Sequence, residues 1–152
     1  MKHHIKENTW SCTALSFAMV LDVEPQWVYD QVGHDGSQVL AWSAKKLIRR
    51  GFHIQEMIHL ALQLGYSVTP YQMIPQTLVQ PKQVFTLPHR QREFLWWLKT
   101  SKGVLTGEGY TSAHAVAFNH GDIYDPEGDV YPATLEVCRE HRFYPREAWI
   151  VQ

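Results

Sequence analysis

The chain has 152 residues, with 14 basic against 15 acidic side chains and a formal net charge of −1. That length suits a single core, and 45% hydrophobic against 19% charged residues excludes a disordered chain. The charge balance offers no global field for nucleic acid or an anionic membrane, and no apolar run approaches the roughly 20 residues that span a bilayer.

No secretory-type apolar stretch follows Met1, so a cytoplasmic chain forming one domain over residues 1–152 is expected. In chain order, the first helical pattern opens at Cys12. Ala14, Leu15, Ala18, Met19 and Leu21 recur at helical spacing, with Thr9 or Ser11 as cap. A second helix runs over 25–32, with Pro25 at its first position and Gly33 as its stop. His34-Asp35-Gly36-Ser37 reads as a turn, and 39–49 as a helical segment closed by Arg49-Arg50-Gly51. Residues 54–64 form the clearest helix, with Ile54, Met57, Ile58, Ala61, Leu62 and Leu64 on one face and Gly65 at its end.

Beyond Gly65 the period changes. Tyr66, Val68 and Tyr71 read as a strand stopped by Pro70 and by a loop through Pro75 and Pro81. Residues 89–100 return to helix. After Gly103, strands are expected at 104–106, 113–118, 123–124 and 148–151. Helices first and antiparallel strands afterwards indicate α+β.

Two cysteines, Cys12 and Cys138, make no disulfide framework and no Cys-x-x-Cys pair, so free thiols are expected. They differ in setting. A thiol in the first turn of a helix sits beside unpaired N–H groups and the positive end of the dipole, which favour the nucleophilic thiolate. Such a nucleophile needs a base oriented by a third group. His114 opens the apolar run Ala115-Val116-Ala117-Phe118, and Asn119-His120-Gly121-Asp122 reads as a hairpin turn leading back to Ile123-Tyr124-Asp125. A loop of two or four residues sets Phe118 opposite Ile123 and puts His114 and Asp125 on one face, whereas an odd-length loop separates them. Cys138 has no such partners and reads as structural.

These residues carry a family resemblance. Ser11-Cys12-Thr13-Ala14-Leu15-Ser16-Phe17-Ala18-Met19-Val20-Leu21 resembles the nucleophile helix of the bacteriocin-processing (double-glycine leader) peptidases and their stand-alone relatives, a branch of the papain-like cysteine peptidases. Ala113-His114-Ala115-Val116-Ala117-Phe118 followed by Ile123-Tyr124-Asp125-Pro126 resembles that family's histidine and Asp-Pro strands, and 51–68 its middle helix and strand. The resemblance spans residues 6–128. It implies a papain-like fold, with the cysteine helix packed on an antiparallel sheet, and amide cleavage through a thioester by Cys12, His114 and Asp125. Thr13 stands where the family often has Gly. The upstream Gln that helps hold the oxyanion is replaced around Lys6 and Asn8, which become the candidate side-chain donors beside the Cys12 N–H.

Trp10, just before the nucleophile, and Glu108 and Tyr110, beside His114, are candidate groove residues for a peptide or protein substrate. Nine histidines match no metal-ligand spacing, so no metal or cofactor is expected. Lys45-Lys46 and Arg49-Arg50 read as solvated helix faces, and Arg92 with Trp96 and Trp97 as a surface open to a partner. The leading expectation is a cysteine peptidase or amidase. A catalytically silent peptide-binding domain and an acyl transferase are the alternatives.

Overall fold

The computed structural model describes residues 1–43, 46–73 and 88–152. The chain forms α1 (Cys12–Leu21), α2 (Pro25–Val32), β1 (Val39–Ser43), β2 (Lys46–Arg49), α3 (Ile54–Gln63), β3 (Val68–Gln72) and α4 (Pro88–Thr100). There follow β4 (Lys102–Glu108), β5 (Ala113–Asn119), β6 (Asp122–Tyr124), β7 (Val130–Pro132), α5 (Leu135–Glu140) and β8 (Tyr144–Val151). The class is α+β. Six strands form an antiparallel sheet in the order β3-β8-β4-β5-β6-β7, and β1 with β2 forms a separate antiparallel pair. Among the described residues no helix is long and apolar enough to cross a membrane.

Alternation along the strands builds two cores, one on each face of the sheet. Val104, Ala115 and Ala117 pack with α1 and with Val28 of α2 and Met57, Leu60 and Ala61 of α3. Their neighbours Leu105, Val116 and Phe118 pack with Phe94 and Leu98 of α4 and Leu135 and Cys138 of α5. Helix α1 is apolar on all sides because it is covered on all sides: every residue from Ala14 to Leu21 is buried. Full burial of side chains such as Phe17 and Met19 contributes about 1.5–3 kcal/mol each, so the position of the first turn is fixed by the core behind it.

Three readings of the sequence are corrected. Residues 39–43 and 46–49 are paired antiparallel strands, with Ala41 opposite Ile48, rather than a helix. Lys46 and Arg49 therefore lie on a strand, and Lys45 is outside the described residues. Pro70 does not stop β3, which runs through it to Gln72. The strand sits at the edge of the sheet, where a missing N–H leaves no ladder bond unmade on the open side. The loop through Pro75 and Pro81 lies outside the described residues. Two short elements, β7 and α5, were not anticipated.

The β5–β6 turn has two residues. His120 and Gly121 both take positive φ, 48° and 102°, as primed hairpin turns require, and Phe118 pairs with Ile123. Gly107 is needed for a different reason. It lies at a register shift between β4 and β8, and a Cβ there would come 2.1 Å from the Tyr144 carbonyl oxygen.

Candidate active site

Cys12 opens α1, and its thiol meets the start of β5. It hydrogen bonds the His114 ring and accepts from the Ala115 backbone N–H. His114 Nε2 lies 2.8 Å from Asp125 Oδ1, which leaves Nδ1 for the thiol. Asp125, only 5% exposed, is held by three donors. Besides His114, the Glu127 N–H donates to Oδ1 at 2.9 Å and the Tyr131 hydroxyl to Oδ2 at 3.4 Å. The Phe143 ring meets the His114 ring edge to face at 5.7 Å, which limits rotation of the imidazole.

The electrostatics follow from this geometry. Burial acts to raise the Cys12 thiol, but the hydrogen bond and charge of His114, the Ala115 N–H and the Lys6 charge outweigh it and bring it below the ordinary value. Burial acts to lower His114, yet its bonds to Asp125 and Cys12 prevail and raise it to about 9. Asp125 is opposed by burial in the same way and is held below the usual carboxylate range by His114. Near neutral pH the arrangement favours a thiolate–imidazolium pair backed by a carboxylate. Cys138 is the contrast: buried, with no cation beside it, its thiol is pushed up to about 12.

These groups border an open cavity of about 360 Å³, lined also by Lys6, Thr9, Tyr110 and Arg142. Among the other candidates, Lys6 and Tyr110 are therefore brought to the site. The Lys6 ammonium is 2.7 Å from Glu127 Oε1, and the Lys6 N–H donates to the Pro126 carbonyl, which ties the segment before α1 to the loop after Asp125. At the start of α1 the Ser11 side chain makes no cap hydrogen bond, so the first-turn N–H groups have no side-chain acceptor there.

Asn8, Trp10 and Glu108 are not brought to the cavity. Asn8 Oδ1 accepts from the Trp10 N–H at 3.0 Å, an Asx turn that holds the side chain against its own backbone. The Trp10 indole points away, donating to the Asp35 carbonyl at 3.0 Å beneath the Arg49 guanidinium, with Gly36 beside it. A Cβ on Gly36 would come within 3.0 Å of that indole, so the glycine leaves the ring its place. Glu108 ends β4 in an ion pair with Arg146 at 3.4 Å.

Four contributors were missed: Tyr131, Phe143, Glu127 and Arg142. Tyr131 and Phe143 flank α5, and no local signal marks their approach to the site. Glu127 lies two residues after Asp125, where an Asp side chain commonly accepts from the backbone N–H, and that spacing was the available signal. His114, Asp125 and Glu127 offer ligand atoms within 4.8 Å of one another, a spacing a metal could use. Each is already engaged, His114 with Asp125 and Glu127 with Lys6, so ion pairing accounts for the cluster. No protein-family model and no curated protein matches the sequence, and the functional reading therefore stands on this geometry.

Proposed function

We propose that the protein is a cysteine peptidase or amidase of papain-like fold, acting on a peptide or protein substrate. The observation that carries this reading is the convergence of Cys12, His114 and Asp125 on one open cavity, from the start of α1, from β5 and from the residue that follows β6. The Cys12 thiolate attacks the substrate carbonyl carbon, and the resulting oxyanion faces the Cys12 N–H at the start of α1. The His114 imidazolium gives its proton to the leaving amine as the C–N bond breaks, leaving a thioester. Water attacks the thioester while His114 takes a proton from it, and the acid departs with the thiolate restored. Asp125 holds the imidazole tautomer throughout.

A peptidyl vinyl sulfone tests the proposal. One adduct on Cys12, lost in Cys12→Ala and slowed in His114→Ala, is the expected result. Absence of that adduct, with Cys12 and Cys138 alkylating at equal rates, refutes it.

One observation favours a second reading, a binding module without turnover. No Asn or Gln side chain borders the cavity among the described residues, so the side-chain amide of an oxyanion hole is missing. Peptide binding that survives Cys12→Ala, with no turnover by the intact chain, identifies that case.

A further inference from the structure

Among the described residues, the acidic side chains around the cavity each have a basic neighbour, and Arg142 is left over. Asp125 is taken by His114, Glu127 by Lys6, Asp129 by His141 at 3.3 Å and Glu108 by Arg146. Arg142 lines the same cavity as Cys12 and has no ion-pair partner among the described residues. Its guanidinium lies 4.5 Å from the centre of the Tyr110 ring, and the two residues share a second, adjoining recess with Gly109 and Tyr144. Stacking on an aromatic face engages the plane of the guanidinium and leaves its N–H edge available for a bidentate acceptor.

The backbone supplies an independent observation. Helix α5 ends in a Schellman motif: the Arg142 N–H donates to the Arg139 carbonyl at 2.9 Å and the Phe143 N–H to the Cys138 carbonyl at 2.8 Å. Arg142 occupies the left-handed position of that motif, with φ 56°, where glycine is the usual residue. The fold thus carries an arginine where its own backbone would favour glycine, and that arginine borders the site.

We infer that Arg142, stacked on Tyr110, is a specificity-determining cation that receives a carboxylate of the substrate, from an acidic side chain or a peptide C-terminus. The inference rests on Cys12 being the nucleophile. Because one cation serves one anion, a peptide with a single carboxylate near the scissile bond gains most, and added salt weakens the preference.

Alkylation of Cys12 by iodoacetate against iodoacetamide, followed by peptide mass mapping, measures this charge without a known substrate. Arg142→Gln should lower the iodoacetate-to-iodoacetamide rate ratio about three- to tenfold. Arg142→Gly should lower it equally while holding or raising the thermal midpoint, since glycine suits the turn. Arg139→Gln removes the same charge from the exposed side of α5 and should leave the ratio in place. An amidated peptide carrying Glu should protect Cys12 from iodoacetamide better than its Gln counterpart if the ligand is a side chain. The Gln peptide with a free C-terminus should protect better than its amide if the ligand is a terminus. A ratio equal in the wild type and both Arg142 variants, or millimolar peptides of either kind giving no charge-dependent protection, overturns the inference. Failure of Cys12 to react with either reagent overturns the nucleophile reading first, and this one with it.

Discussion

Replacing Asp125 by Asn keeps the shape of the side chain and removes its charge. In the wild type, His114 is raised from 6.5 to about 9, a preference for the charged ring of about 3 kcal/mol at 1.36 kcal/mol per unit. That preference works against burial and is shared between Asp125 and Cys12. Assigning roughly half of it to the carboxylate predicts a loss of about 1.5 kcal/mol in Asp125→Asn, or about tenfold in the thiolate–imidazolium population. The imidazole then titrates closer to 6.5, and the thiol loses the charge that holds it down. The assay is the second-order rate of Cys12 alkylation by iodoacetamide from pH 5 to 10. The wild type should stay reactive well below the ordinary thiol range. Asp125→Asn should be about tenfold slower at pH 6–7 and rejoin the wild type above pH 9. Superimposable profiles for the two proteins would refute the role given to Asp125.

Tyr131→Phe removes one long hydrogen bond to Asp125, worth about 0.5–1 kcal/mol, and should slow alkylation at pH 6–7 two- to fivefold with the profile moved toward that of Asp125→Asn. Burial and the Asp125 charge both raise the Tyr131 phenol, so it remains a donor across this range. Asp125 sits below its unfolded value of 3.8, so the stability it contributes is present above that pH and is lost as pH falls through the folded value. Urea midpoints should therefore drop more steeply below pH 4 in the wild type than in Asp125→Asn. Gly107→Ala drives a methyl group into the Tyr144 carbonyl and should cost about 1–3 kcal/mol in urea unfolding, whereas Gly33→Ala meets no atom within 4 Å and costs only the strain of its positive φ.

The candidate site was legible where it is built from local rules. Cys12 at a helix start follows from apolar spacing, and the placement of His114 with Asp125 follows from an even-length turn within 119–122, left at two or four residues by the sequence and two in the structure. Pro25 and Gly33 bracket α2 as their backbone preferences dictate. The strand pair 39–43 and 46–49 was misread because Leu40, Leu47 and Ile48 recur at a spacing that suits a helix as well as paired strands, and nothing local decides between them. Elements of three and six residues, β7 and α5, are too short for any periodicity to show. The misplacement of Asn8, Trp10 and Glu108 has another origin. Nearness in sequence to Cys12 or His114 does not fix the direction of a side chain, and partners such as Asp35, Arg49 and Arg146 decide it.

The burial of α1 from Ala14 to Leu21 bears on how the protein moves. A helix enclosed by β4, β5, α2 and α3 exchanges its amide protons only when the core opens, so Ala18 and Met19 should report the global free energy of unfolding. Arg142 and Tyr110 line the same cavity but are exposed, and exposed segments open at lower free energy than a buried helix. Nucleophile and rim would then run on separate clocks. A ligand arriving at the cavity meets a fixed thiol and an adjustable wall, and any tightening on binding should appear as slowed exchange at 109–112 and 141–143, with α1 unchanged.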